Sequence, residues 1–509
     1  MRKRQNISIL AVVALALGSA CAQDSSAPQS APGSVPDTQQ EPAIPPTAPA
    51  PAYGQPNAVP IEENPPISGL DQPALGPHSA PLSYLQPGAT VSESADSNVA
   101  NTLAGGDNLR SVSRGLGTLS MRRLWSSYSL SLDYAGGVGY YNAPGLGLKS
   151  LQSLDLDQKI TWKRGQLALR DDFSYLPEGN FTSPYGSLNS EPGASGGALG
   201  QGFFGGNTFG ALGEVPRLMN LGVADLTENL TPKSALTLAG GYDLVHFYGT
   251  DPELGGAPFL GSSEVSAQGG YNRVVTPHDQ MALIYGYQGF RFSPGGCTLI
   301  GSACVGPSPL PSTAFHTQVI QLAYAHRISG RLDFTMAAGP QIIQLSVCTI
   351  QSGLCVYNTT NADVRLGVAG RAILRYKFPK TSLELSYRRM TTNGSGFFAG
   401  AQTDVARLQA SRPISRVWSG FADMGYARNS RLNPQNGSGI NANIYTYGFA
   451  GAGLHRMLGR NFHAFASYQF NELSFDRSVC GNANGCSHIS QRHIGTIGLD
   501  WTPRPIRVD

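Results

Sequence analysis

The sequence predicts an all-β chain: a transmembrane, antiparallel, up-and-down barrel. Two observations carry this. Segments of about ten residues alternate apolar and polar side chains, the rhythm of a strand with one face in lipid and one in water, from about residue 125 to Trp501. The connections between them alternate between tight turns and long Gly/Asn/Ser-rich loops, the asymmetry of a barrel with short turns on one side and long loops on the other. A third observation excludes the rival membrane architecture. Beyond the first residues, no run of about 18 apolar side chains occurs, so a helical bundle is not expected.

From the amino end, Arg2, Lys3 and Arg4 precede an apolar stretch from Ile7 to Leu17 and a small-residue site at Ala20, Cys21 and Ala22. This is the pattern of an export signal, so residues 1–22 are expected to be cleaved after Ala22. Lipidation of Cys21 is the rival, with Gly18 three residues upstream where a lipoprotein signal usually has Leu. Residues 23–85 follow as a disordered, Pro-, Ala-, Ser- and Gln-rich periplasmic leader. Proline fixes φ and removes a donor, and large apolar residues are few, so this stretch is expected to be extended and without a core. It contains no Lys or Arg. An acidic leader and a basic remainder are therefore hidden within an overall charge of +3.

The barrel is expected over residues 86–509. Its clearest strand is 363–378. Val364, Leu366, Val368, Ala372, Leu374, Tyr376 and Phe378 fall on one parity; Arg365, Arg371, Arg375 and Lys377 fall on the other. The same rhythm sets Leu383, Leu385 and Tyr387 against Glu384 and Arg388, and Phe462, Ala464, Ala466 and Tyr468 against His463, Ser467 and Gln469. Tight turns are expected near 163–165, 231–233, 276–278, 329–330, 379–380, 413–415 and 458–460, where Pro, Gly and Ser supply the geometry. Long connections are expected near 137–147, 176–217, 249–262, 293–314, 347–361, 391–401, 429–442 and 476–489. Two strands upstream, near 86–98 and 110–121 with a turn around Arg122 and Arg123, complete eighteen; without them the count is sixteen. Either number is even, as in single-chain bacterial barrels. A barrel this wide leaves an aqueous interior unless loops fold in. The expected candidate is 176–217, rich in Gly and carrying Phe203, Phe204 and Phe209; a mobile surface cap is the alternative.

The opening strand Arg123-Leu124-Trp125-Ser126-Ser127-Tyr128-Ser129-Leu130-Ser131-Leu132-Asp133-Tyr134, with the alternation and aromatic strand ends, resembles bacterial outer-membrane β-barrel proteins of the porin-like kind. The resemblance covers about residues 86–501 and implies residence in the outer membrane. It departs at the end, where Thr502 to Asp509 follow the last aromatic residue.

Apart from Cys21, six cysteines fall into three close pairs, Cys297/Cys304, Cys348/Cys355 and Cys480/Cys486. In an exported chain each pair is a candidate disulfide confined to its own loop. No His cluster accompanies them, so no metal site is assigned. Candidate lumen-lining charges are Arg365, Arg371, Arg375, Lys377, Arg388 and Arg407, with Glu384, Asp155, Asp157, Asp172 and Asp423 as acidic counterparts.

The expected function is a passive or weakly selective channel for small hydrophilic solutes. The alternative is a surface or structural barrel, or an exporter component, whose stapled loops and Pro-rich leader bind partners. Outer-membrane lipid is the expected surrounding. A periplasmic or cell-wall partner for the leader is an open expectation, and no nucleic-acid partner or cofactor is expected. His246 with Asp251 and His488 with Ser490 are neighbours by chance; no motif unites nucleophile, base and oxyanion donor, so an enzyme is not expected.

Overall fold

The computed structural model describes residues 66–68, 83–99, 109–143, 147–176, 217–248, 260–292, 297–300, 303–307, 313–351, 354–357, 363–378, 380–432, 442–477 and 488–508. The export signal, Cys480, Cys486 and the body of the 176–217 connection lie outside these residues.

Eighteen antiparallel strands form one closed sheet. In chain order they are β1 (Tyr84–Asp96), β2 (Arg110–Leu124), β3 (Tyr128–Tyr141), β4 (Gly147–Trp162), β5 (Gly165–Leu176), β6 (Arg217–Thr231), β7 (Ser234–Phe247), β8 (Ser262–Val274), β9 (Asp279–Phe292), β10 (Thr313–Ser329), β11 (Leu332–Gln351), β12 (Asp363–Lys377), β13 (Ser382–Thr392), β14 (Ala401–Pro413), β15 (Trp418–Arg431), β16 (Ile444–Met457), β17 (Phe462–Phe475) and β18 (Ile489–Trp501). Each pairs with its sequence neighbours, and β1 pairs with β18 from Ala89↔Trp501 to Asp96↔Ile494. Lipid offers no hydrogen-bond partner, so closure is what satisfies the two edges. The chain past Trp501 returns to the seam: Ile506 and Arg507 pair with Leu85 and Tyr84.

Beyond the sheet, a hairpin joins Cys297–Ile300 to Ala303–Pro307, and Leu354–Tyr357 pairs with the end of β11. Two of the candidate disulfides fall on these ladders. The backbone register does not set either pair directly opposite: Cys304 faces Leu299 while Cys297 faces Pro307, and Cys355 faces Ile350 while Cys348 faces Tyr357. The side chains of Cys297, Cys304, Cys348 and Cys355 lie outside the described residues, so Cys297/Cys304 and Cys348/Cys355 stand as expectations from the sequence alone, like Cys480/Cys486.

The alternation sorts side chains between two faces. On β12, Leu366 is 81% exposed, with Val364 and Val368 beside it, whereas Ala369 and Ile373, on the other parity, are buried. The same parity exposes Leu283 and Tyr285 on β9, Met424 and Tyr426 on β15, and Ile497 and Leu499 on β18. These rows form the outer, lipid-facing band of a transmembrane barrel; a greasy surface this extensive is stable only against hydrocarbon.

Two local readings are corrected. The turn expected at Arg122 and Arg123 falls at residues 125–127, where the Trp125 amide donates to the Tyr128 carbonyl at 2.8 Å. Both arginines extend β2, because Arg123 finds an outer-face partner: its guanidinium lies 5.0 Å from the centre of the Trp125 ring. The connection expected over 137–147 is shorter, since β3 continues to Tyr141. Its glycines read as loop residues but serve close packing. A Cβ on Gly137 would stand 2.0 Å from the Gly115 carbonyl oxygen and 2.8 Å from Leu116 Cα. Gly137→Ala is therefore expected to destabilise the β2–β3 hairpin by at least the ~1–3 kcal/mol of an overpacked site. Urea unfolding in detergent, followed by loss of the compact band on an unheated gel, checks this; an unchanged midpoint contradicts it.

Candidate functional site: the lumen

Inside the ring, the second parity carries the polar residues. Arg365, Arg371, Arg375 and Lys377 share this face of β12, opposite in parity to Leu366. Glu384 and Arg388 stand on β13, Arg407 on β14 and Asp423 on β15. Sheet register brings several together. Arg375 faces Glu384 across β12 and β13, with Nε 3.2 Å from Oε2, and approaches Asp333 of β11 at 4.0 Å. The Arg407 guanidinium forms a two-pronged pair with Asp423, Nε donating to Oδ1 at 2.9 Å. Arg371 stands directly opposite Arg388, a like-charged cross-strand pair. The Arg365 guanidinium donates to the Leu432 carbonyl.

Across the ring the sign reverses. Asp133 of β3 is paired with Asp155 of β4, and Asp155 with Asp172 of β5, so three carboxylates form one cross-strand row. Asp157 is next but one to Asp155 on the same parity. Like charges directly opposite oppose pairing, so neither row is explained by strand stability. Strands β3–β5 and β12–β13 lie on opposite sides of the ring.

Toward the long-loop end, residues 393–400 fold inward, a feature the sequence reading did not find. Gly394, Gly396 and Gly400 have φ of +76°, +85° and +93°, conformations that favour glycine, and a 3-10 turn spans Gly394–Gly396. The Asn393 amide donates to Ser262 Oγ at 2.9 Å, and the Leu260 amide to the Gly396 carbonyl at 2.9 Å. This ties β13 to the start of β8, across the interior from one another. Phe397 and Phe398 are buried against Tyr445, Tyr447, Phe449 and Phe475 of β16 and β17. Their rings meet Tyr445 at centroid distances of 5.4 and 5.2 Å, Phe397 edge-on. A second apolar group, Phe290, Phe292, Phe315, Ile343, Leu345 and Leu432, packs with Ala399 on the other flank. Apolar side chains thus pack into the upper lumen, on the parity that elsewhere faces water.

No family model matches the chain, and no curated protein matches it. Solved structures with a similar course of chain include the ferric-catecholate import receptor Fiu from E. coli K12, 7% identical with a TM-score of 0.39, covering 82% of this chain and 81% of that one. They also include the outer membrane protein opdK from Pseudomonas aeruginosa, 9% identical with a TM-score of 0.36, covering 82% and 98%. OccAB3 from Acinetobacter baumannii is 9% identical with a TM-score of 0.36, covering 83% and 99%.

Proposed function

We propose that the protein is an outer-membrane channel for small hydrophilic solutes, weakly selective by charge. The observation that carries this reading is the pair of opposed charged rows, Asp133, Asp155 and Asp172 on one wall and Arg371 and Arg388 on the other. An eighteen-stranded ring is too wide for side chains alone to fill, and a charged wall lining a water-filled bore acts on whatever crosses it. Opposed rows create a field across the bore, which aligns dipolar solutes and discriminates weakly between ions of either sign. The ion pairs of Arg375 and Arg407 reduce the positive wall's net charge, which favours weak over strong anion preference.

Planar-bilayer recording in a salt gradient tests the reading. Asp155→Asn with Asp172→Asn is expected to move the reversal potential toward anions while leaving a conducting barrel. A reversal potential that does not move removes the charged rows as the selective element. A folded barrel that never conducts removes the channel reading and favours the surface or structural alternative.

A further inference from the structure

Residues 66–68, part of the stretch read as leader, have a defined place on the inner face of the barrel. The contacts are those of a bound peptide. The Ile67 amide donates to Asn272 Oδ1 at 3.2 Å. The Ile67 carbonyl accepts from the Arg371 guanidinium at 3.1 Å, and the Ser68 carbonyl from Gln268 Nε2 at 2.8 Å. Thr237 Oγ1 donates to Ser68 Oγ at 2.9 Å. Ile67 packs on Ala282, Ile284, Ala323 and Ala337. Ser68 is wholly buried, and Thr237 and Asn272 are nearly so. Side chains from β8 and β12 thus bond the backbone of the segment at three points, β7 bonds its hydroxyl, and three alanines and Ile284, on β9, β10 and β11, receive its one large apolar group.

The wall is shaped for this occupant. Gly270 faces it, and a Cβ there would come 2.6 Å from Ser68 Cβ and 3.2 Å from the Ser68 carbonyl oxygen. Polar wall groups that would otherwise face water engage the peptide amide and carbonyls, and residues 67 and 68 are held as a turn, so the arrangement suits a turn of backbone that presents a branched apolar side chain.

We propose that this wall is a peptide-binding site, occupied in cis by residues 66–68, and that its occupation narrows the bore. The narrowing rests on the channel reading; the site itself does not. Since Arg371 holds the Ile67 carbonyl, the segment also covers one member of the positive row.

Ser68→Cys combined with Thr237→Cys in the full-length chain places two thiols where the hydroxyls now touch. Oxidation is expected to give a cross-linked peptide pair detectable by mass spectrometry and a loss of unit conductance that reduction reverses. Wild-type protein under the same oxidant and reductant controls for the native cysteines. Gly270→Ala, which displaces the segment without a thiol, is expected to raise conductance in either redox state. A failure to cross-link, in a barrel that folds and conducts, overturns the site. A cross-link that leaves conductance unchanged overturns the narrowing. A cross-link in a barrel that conducts in no state, Gly270→Ala included, overturns the channel reading and the narrowing together but upholds the site.

Discussion

Arg492→Ala is expected to cost about 3–5 kcal/mol, because it strands a buried carboxylate at the seam where the barrel closes. Asp96 of β1 and Arg492 of β18 are 1% and 2% exposed. The Arg492 Nε lies 3.0 and 2.8 Å from the two Asp96 carboxylate oxygens, and its terminal nitrogen makes a further contact with the second. Asp96 Oδ1 also accepts from the Asn98 amide at 3.0 Å. Removing the guanidinium leaves a buried carboxylate that keeps the Asn98 amide bond but loses its counter-charge. Asp96→Ala combined with Arg492→Ala removes both charges and is expected to recover part of the loss, since the penalty lies in the orphaned partner rather than in the missing attraction. Urea titration of the detergent-solubilised barrel measures both variants. A single variant within about 1 kcal/mol of wild type, the value of an exposed pair, contradicts the buried-seam account.

Phe397→Ala with Phe398→Ala is expected to open the upper lumen and raise unit conductance several-fold. Each ring fills space that the backbone of residues 393–400 leaves vacant, and each truncation removes on the order of 3–5 kcal/mol of packing from the inward-folded segment. The strands do not depend on these rings, so the ladder is expected to survive while the segment loosens. Bilayer recording gives conductance, and urea unfolding of the same preparation tests whether the barrel is intact. Unchanged conductance with an intact barrel would mean that the solute path bypasses the aromatic cluster.

What could be read from the sequence was what period two encodes. Lipid and water are different solvents, and a strand between them must alternate. Leu366 against Ala369, or Ile497 against Thr496, records this on opposite parities, so the fold class, the strand number and most turns followed. The turn after β2 did not, because Arg122 and Arg123 suit a rim as well as a strand and only the Trp125 ring decides. The inward loop shows a subtler limit. Glycine with phenylalanine was the right signal for a segment able to pack within a bore, and Gly394, Gly396, Phe397, Phe398 and Gly400 carry it. The same signal stands at 176–217, whose body lies outside the described residues, whereas 391–401 is short enough to read as a plain connection. The docking of Ile67 left almost no local trace. Its partners Asn272 and Arg371 are separated from it by 205 and 304 positions, and a single isoleucine among prolines does not announce a cavity. The ion pairs of Arg375 and Arg407 likewise follow from register, which periodicity alone does not specify. Register also escapes the cysteine spacing: close neighbours in sequence, Cys297 with Cys304 and Cys348 with Cys355, sit at offset rungs of their ladders.

The distance in sequence between β1 and β18 has a consequence for assembly. Asp96 and Arg492 are 396 residues apart, whereas every other pairing of barrel strands joins neighbours along the chain. The entropy of bringing ends together grows only logarithmically, about 0.6 kcal/mol per doubling, so distance alone does not forbid the final contact. Order matters more. Hairpins can zip as they are made, but the last junction waits for all of them, and until then two long strands offer unmatched amides and carbonyls to any passing edge. The two edges of β1 and β18 are therefore the surfaces this chain leaves unmatched longest during assembly, and weakening the seam prolongs that exposure as well as lowering the stability of the finished barrel.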